Sequence, residues 1–406
     1  MTHPAASAAE EHIASTIRAA AAAREPVLIE GHGTKSGMLR PVQAARTIST
    51  EGLSGITLYA PKELILQAQA GTPLREIETA LADAGQHLIA EPPDLSALLG
   101  GDQRQALKPQ TLGGVVATNL SGPRRIAWGA MRDHVLGIRA VTGRAEVIRS
   151  GGRVLKNVTG LDLCKLLTGS HGTLGVITEI TLKVLPAPPA TGTLALPGLD
   201  AAAGVRALSA ALGSPFSVTG AAWVPAEAVA RVPGLDGLSG GVALARIEEF
   251  PASVDYRLGR LRDQLDVAGA RLLDTPASHA AWKAIRDAVP LAPAEGAAIW
   301  RVSVRPSAGP DVLAALAPAG VTGFLDWGGG LVWLTGPANA ATHAAVEAAA
   351  VARRGTWTLL RAPDTLRGAV RVVPDEPAAL ARITQAVKAS LDPAGILNPG
   401  RIHAGL

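Results

Sequence analysis

Along its first 190 residues the chain breaks into short apolar-patterned segments that predict helices and strands in turn. Residues 7–24 are an alanine-rich helical stretch, and Pro26-Val27-Leu28-Ile29-Glu30 predicts a short strand running straight into the turn Gly31-His32-Gly33-Thr34. Ile65-Leu66-Gln67-Ala68-Gln69-Ala70 reads as a strand and Gly71-Thr72-Pro73 as a turn. Residues 74–84 read as a helix with proline at a first-turn position and Leu74, Ile77 and Leu81 on one face. In Thr111-Leu112-Gly113-Gly114-Val115-Val116-Ala117-Thr118-Asn119 small residues predict a helix start whose N-terminus suits a negative group, pyrophosphate being the natural candidate. Residues 135–147 and Val154-Leu155-Lys156 predict hairpin strands joined through Ser150-Gly151-Gly152. Thr159-Gly160-Leu161-Asp162 resembles a capping box opening a half-buried helix around Cys164 that ends at Gly169. The proline-rich residues 186–197 predict a linker.

Three glycine turns stand out against these elements: Gly31-His32-Gly33-Thr34, Thr111-Leu112-Gly113-Gly114 and Gly172-Thr173-Leu174-Gly175. Glycine has no Cβ to hold a ligand away from the backbone N–H groups, so turns of this kind converging on one place suggest a bound phosphate-bearing cofactor. Any one of them alone is more often an ordinary turn or helix cap. Gly31, Gly33 and Gly37 do not make a Rossmann fingerprint, because that motif must open a long helix and here Pro41 and the β-branched Thr47-Ile48-Ser49-Thr50 follow. Lys35-Ser36 is preceded by Thr34 and not by the glycine a P-loop demands.

Composition narrows the class. With 406 residues, 48% of them hydrophobic, the chain is long enough for two or three lobes, since single cores stop growing at roughly 250–300 residues. A net charge of +4, no basic cluster longer than Arg124-Arg125 or Arg353-Arg354, and 3% aromatic residues give nucleic-acid binding no support. The single cysteine, Cys164, cannot form an internal disulfide and reads as a buried, inert thiol; iron–sulfur ligation, which takes several thiolates, is excluded. Glu10, Glu11 and His12 interrupt any export signal, and charge or proline punctures the apolar stretches, so a cytoplasmic protein with no membrane span is expected.

Taken in order, the three turns together with Ala70-Gly71-Thr72-Pro73-Leu74, Ala117-Thr118-Asn119, Trp128-Gly129 to Arg132-Asp133, Lys156-Asn157 and Gly169-Ser170-His171 resemble the FAD domain of the vanillyl-alcohol oxidase family, over residues 25–188. Trp282 with Ile285-Arg286, Ile299-Trp300-Arg301, Leu325-Asp326-Trp327-Gly328-Gly329-Gly330 and Leu391-Asp392-Pro393-Ala394-Gly395-Ile396-Leu397-Asn398-Pro399-Gly400-Arg401 resemble one branch of it, the FAD-binding subunits of bacterial glycolate oxidases. The resemblance implies an α+β fold: a two-lobed, PCMH-type FAD-binding domain over residues 1–188, a cap with an antiparallel sheet and helices over 189–370, and residues 371–406 returning to the FAD domain. It also implies a 2-hydroxy acid substrate, with glycolate going to glyoxylate, and as partners a larger flavin-type subunit and an iron–sulfur subunit, through which the chain is peripheral to the inner membrane.

Residue roles follow from the same resemblance. Gly31, His32, Gly33, Thr34 and Lys35 would form the pyrophosphate loop, and Gly71, Thr111, Gly113, Gly114, Ala117, Thr118, Asn119 and Ser121 would line the cofactor from the other side. Gly129, Arg132 and Asp133 belong to a loop the family places beside FAD, although an Arg-Asp dipeptide is commonly a surface ion pair. Gly172, Gly175, Val176 and Ile177 would lie along the cofactor through their backbones, and valine at Gly114 or Gly175 should expel it. Relatives that tether FAD do so through a histidine at the place of Gly33, one residue beyond His32, so non-covalent FAD is expected. His134 and His171 read as loop histidines hydrogen-bonded locally.

Catalytic residues stay unassigned. Oxidation of a 2-hydroxy acid on a flavin needs a base, a cation for the carboxylate and a route for hydride. The catalytic relatives carry paired histidines around Gly-Asp-Gly-Asn and Glu-His-Gly segments, which this chain lacks; no histidine pair has metal-ligand spacing either. Arg286, Arg301 and Arg305 are able to bind a carboxylate, but such arginines usually face solvent or a neighbouring acid. Three readings remain open: an FAD subunit of a glycolate oxidase complex, a self-sufficient dehydrogenase of another 2-hydroxy acid, and a non-catalytic scaffold with an FAD fold.

Overall fold

The computed structural model describes residues 7–99, 108–153 and 160–405 and divides into two compact units. The first comprises Met1–Leu120, Ala130–Ala187 and Asp375–Leu406. Its opening helix, Ala8–Ala23, begins in a capping box in which Ser7 and Glu10 satisfy each other's backbone N–H groups. Ile13, Ala14, Ile17 and Ala20 form its buried stripe. Arg24 then reverses the chain in a left-handed conformation and leads into β1 (Val27–Glu30), which pairs in parallel with β2 (Arg46–Ser49).

A five-stranded antiparallel sheet is the main sheet of this unit. Its strands are β3 (Ile56–Ala60), β4 (Ile65–Gln69), β6 (Val135–Val141), β7 (Val147–Gly151) and β8 (Val176–Lys183), in the order β3-β4-β8-β6-β7. Two-residue strands β5 (Gln86–His87) and β9 (Leu185–Pro186) pair beside it. The helix Leu74–Asp83 buries Leu74, Ile77 and Leu81, as its spacing predicts, in one core with Leu66, Val115, Ile138 and Ile180. The opening helix packs into a second core with Val27, Val141, Val176, Ile396 and Leu397. Glu10, only 3% exposed, anchors that helix to the sheet: it accepts from Arg139 (3.0 and 2.6 Å) and from the Thr178 hydroxyl (2.8 Å).

The second unit, Ser121–Gly129 with Pro188–Pro374, is built on an eight-stranded antiparallel sheet. Its strands are β10 (Ala190–Leu196), β11 (Gly220–Val224), β12 (Val242–Glu249), β13 (Arg271–Leu273), β14 (Ala298–Ser303), β15 (Thr322–Asp326), β16 (Leu331–Gly336) and β17 (Thr356–Arg361), ordered β13-β10-β12-β11-β15-β16-β14-β17. The helices Ala201–Leu212, Pro251–Leu265 and Thr275–Arg286 pack on it. Helices with antiparallel sheets make an α+β fold, as expected.

Several local expectations need correction. The hairpin of β6 and β7 turns at residues 142–146, not at Ser150-Gly151-Gly152, because Val141 pairs with Val147 and Gly137 with Gly151. Val154, Leu155, Lys156, Asn157 and Thr159 lie outside the described residues. The Cys164 helix is Leu163–Leu167, capped by the Asp162 carboxylate, which accepts from Lys165 N–H (3.1 Å), and it stops before Gly169. The chain passes from the first unit to the second at Ala187–Pro188, inside the expected linker, but the linker is short: 190–196 is β10, buried throughout between β12 and β13, with Thr191 and Thr193 in the interior beside Leu194 and Leu196.

Candidate functional site

Within the first unit, β1 delivers the turn of residues 31–35, which Ser36 N–H closes by donating to the Gly33 carbonyl (2.9 Å). The turn lies against the start of the helix Leu112–Thr118. A Cβ on Gly31 would stand 2.5 Å from Thr111 Oγ1, and one on Gly113 would stand 2.8 Å from Ala70 Cβ, so only glycine lets these segments meet. Thr111 caps the helix, its hydroxyl accepting from Gly114 N–H (3.3 Å). Leu112, Gly113, Val115 and Val116 are buried, whereas Gly114, Ala117 and Thr118, at helical spacing, form a half-open face of small residues. Thr118 directs its hydroxyl at the Gly114 carbonyl (2.7 Å).

Lys35 supplies the charge at this face. Its Nζ donates to Gln110 Oε1 (3.0 Å) and lies 3.8 Å from where a Cβ on Gly114 would be. Burial pulls its pKa down from 10.5 to about 8, against the opposing pull of Asp94. A shielded ammonium without an ion pair among the described residues, beside a shelf that a single Cβ would begin to fill, fits the phosphates of a nucleotide cofactor.

The C-terminal segment holds these turns in place. Asn398 accepts from Ile29 N–H through its side chain (2.8 Å) and donates to the His171 carbonyl (2.8 Å), joining the first and third glycine turns. Gly172, at φ +74°, leaves no room for a Cβ there, since it would stand 2.7 Å from Asn398 Nδ2. Arg401 donates to the carbonyls of Lys35 (2.9 Å), Ser36 (3.4 Å) and Arg40 (3.1 Å). Lys388 binds Asp392 (2.7 Å) and the carbonyls of Thr173 (2.7 Å) and Leu397 (3.0 Å), while Asp392 accepts from Ile396 and Leu397 N–H. Gln110 shows no sign of its role in the sequence, and Asn398 and Arg401 enter it only as members of the C-terminal motif, with no individual role.

The remaining nominated residues fall in different places. His32 turns its Nδ1 to the Pro109 carbonyl (2.6 Å). Gly33 and Thr34 are buried, and Gly71 packs directly on the Thr50 carbonyl. Asn119 ends its helix at φ +51° and accepts from Arg132 N–H (3.1 Å). Arg132 and Asp133 are an exposed pair 4.0 Å apart, with Asp133 also accepting from Ala130 N–H (2.8 Å). Ser121 and Gly129 belong to the second unit. Gly175 faces the core, where a Cβ would lie 3.2 Å from the Val141 carbonyl, and Val176 and Ile177 send their side chains into two separate cores. His171 keeps a neutral ring: burial, and then the Arg401 charge, bring its pKa to about 3. His134 is buried, with its carbonyl accepting from Lys183 N–H (2.8 Å).

Of the three arginines considered for a carboxylate, Arg286 pairs with Asp287 (2.8 Å) and Arg305 is exposed. Arg301 does neither; it lies over the rings of Trp327 and Trp333. Among the described residues no group of His, Cys, Asp and Glu is arranged to hold a metal, and no helix is long and apolar enough to cross a membrane.

A model of the FAD binding domain family matches residues 5–151. Over 394 residues the chain is 33% identical to the glycolate oxidase subunit GlcE of Escherichia coli (strain K12), an overlap of 94% of each chain. It is 32% identical over 188 residues to a D-lactate dehydrogenase of Archaeoglobus fulgidus, covering 46% of this chain and 39% of the other. In three dimensions it is similar to p-cresol methylhydroxylase, with a TM-score of 0.72 at 13% identity over 97% of this chain and 87% of that one, which shows a common fold.

Proposed function

The chain belongs to the family of FAD-binding glycolate oxidase subunits, and we propose that it works as such a subunit, oxidising glycolate or a close 2-hydroxy acid within a complex. The observation that carries the reading is the meeting of residues 31–35, the half-open face of Gly114, Ala117 and Thr118, and the shielded Lys35 ammonium in one place. In this reading residues 1–188 hold FAD, 189–370 form the cap, and 371–406 return to brace the FAD domain.

The N–H groups of Gly31, Gly33 and Thr34, with the Thr34 hydroxyl and Lys35, would bind the FAD pyrophosphate, and Lys35 would regain its full charge against the phosphates. The small residues of the 112–118 helix would let the cofactor lie close to the backbone and keep water out. The backbone of residues 172–177, with Asn119, would complete the lining, and FAD would stay untethered, with Gly33 where tethering relatives place their histidine and His32 held to Pro109. FAD, when bound, supplies the acceptor for the hydride that leaves the hydroxyl-bearing carbon. A single cysteine leaves the chain no iron–sulfur cluster of its own, so electrons would pass from the flavin to a partner or a soluble acceptor; a larger flavin-type subunit and an iron–sulfur subunit fit this need. Such a complex would act in the cytoplasm, meeting the inner membrane through those partners.

An anaerobic absorption spectrum of the purified chain, taken before and after glycolate and followed by acid precipitation, tests the proposal. Flavin bands that leave with the supernatant support non-covalent FAD. Bleaching by glycolate places the chemistry in this subunit; bands that persist until the partner subunits are added place its completion in the complex. A folded chain that neither carries nor takes up FAD overturns the reading.

A further inference from the structure

Strand β14 sets Arg301 opposite Trp333 on β16 and Thr358 on β17. Its guanidinium lies 4.8 Å from the Trp333 ring centre and 5.5 Å from that of Trp327, and the Arg125 guanidinium covers Trp327 at 4.6 Å. Two cations thus share one indole. The Nε of Arg301 is buried and has no hydrogen-bond partner among the described residues. Burial, and then repulsion from Arg125, lower its pKa to about 10 despite the attraction of Asp326.

The same unit treats another buried arginine differently. Arg246 also lies over an indole, at 4.6 Å from Trp282, but it has the Glu248 carboxylate 3.5 Å away, and Arg124 meets that carboxylate at 2.6 Å. Both lie on indole, but Arg246 has an acid in ion-pairing distance, whereas among the described residues Arg301 has none and meets Asp326 only through its longer-range charge. A shielded guanidinium left in that state is strongly unfavourable unless an anion from outside completes it.

The backbone beside it is strained as well. Trp327 sits at φ +53°, a conformation unusual for a bulky residue, and is fixed there by its N–H donating to Asp326 Oδ1 (2.7 Å) and its indole Nε1 donating to the Gly122 carbonyl (3.1 Å). The strain puts an indole face against both guanidiniums.

We propose that Arg301, with Arg125 and the indoles of Trp327 and Trp333, forms an anion site for a small planar carboxylate, and that this is the carboxylate of the 2-hydroxy acid. The last step rests on the function proposed above; the anion site itself does not. A carboxylate in the plane of the guanidinium accepts two parallel N–H bonds, a geometry that the indole rings beside the group do not compete for. A tetrahedral phosphate matches the planar fork less well.

Calorimetric titration of the FAD-loaded full chain with glycolate, oxalate and inorganic phosphate tests this, with tryptophan fluorescence as a local reporter and flavin content measured in parallel. Saturable binding of glycolate and oxalate, tighter than phosphate, is expected. Arg301→Gln should weaken both carboxylates by roughly 10- to 100-fold, the range for a charged hydrogen-bonding pair, while retaining flavin. Arg301→Lys keeps the charge but loses the fork, so it should fall several-fold short even if the glutamine variant fails to fold. Arg305→Gln should bind as the parent does. Carboxylate affinity unchanged in Arg301→Lys or Arg301→Gln, or no carboxylate binding to the parent, overturns the site. A chain that binds carboxylate through Arg301 but takes up no FAD leaves the site standing and removes the function it was joined to.

Discussion

Arg401 donates from its guanidinium to the main-chain carbonyl of Lys35 across 366 positions of sequence, at 2.9 Å. The last turns of the chain therefore set the shape of the first glycine turn. Arg401→Ala should free three carbonyls, lower stability by about 2 kcal/mol and release FAD more readily. Thermal melting of the flavin-loaded and flavin-free chain checks both; equal flavin affinity in parent and variant would count against the bracing role.

Glycine replacements should separate two effects. Gly114 opens toward the Lys35 ammonium, with only Thr111 Oγ1 nearby at 3.3 Å, so Gly114→Val should give a folded chain that loses flavin. Gly175 faces the Val141 carbonyl at 3.2 Å, and Gly175→Val should instead lower the melting temperature of the flavin-free chain. Circular dichroism with flavin content distinguishes the two: loss of flavin with the fold intact is expected of Gly114→Val alone.

Lys35→Met should move stability and cofactor affinity in opposite directions. The folded pKa of Lys35, about 8, lies below its unfolded value of 10.5. Burying its charge therefore costs most below pH 8, and the stability of the flavin-free parent should rise as pH climbs from about 8 to 10.5. Methionine removes that dependence and stabilises the flavin-free chain at pH 7, yet FAD should bind roughly 10-fold more weakly for want of the cation. Denaturant melts at pH 7 and 10 and flavin titration check this.

Acid should unfasten the opening helix. Although burial opposes it, bonds from Arg139, Ser7 and Thr178 hold the pKa of Glu10 down at about 2, below its unfolded value of 4.5. The resulting stability, about 3 kcal/mol for a shift of that size, is present above pH 4.5 and lost as pH falls toward 2. Glu10→Gln should be destabilised at pH 7 and show a flatter acid dependence, measurable by denaturant melts at pH 3 and 7.

Cys164 should ignore thiol reagents until the chain unfolds. It is buried, its thiol donates to the Ser150 carbonyl (3.3 Å), and burial raises its pKa. Labelling in native buffer and in denaturant, followed by mass spectrometry, reads this directly.

What the sequence determined by itself was local or familial. The alanine-rich stretch made the Ala8–Ala23 helix, Leu74, Ile77 and Leu81 made one buried stripe, β1 ran into its glycine turn, and the order of turns placed the chain in an FAD-binding family. These depend on neighbours within about one or two turns of chain, where spacing alone sets which side chains share a face. Tertiary structure decided the rest. Strand register, not the glycines at 151–152, fixed the turn between β6 and β7, and burial between two strands made a strand of most of the expected linker. Asn398 found Ile29 across 369 positions, Gly175 turned to the core, and Arg301 alone of three candidate arginines came to rest on indole rings. Such partners meet only when strands pair and layers close, and no spacing along the chain encodes which distant group will stand beside them.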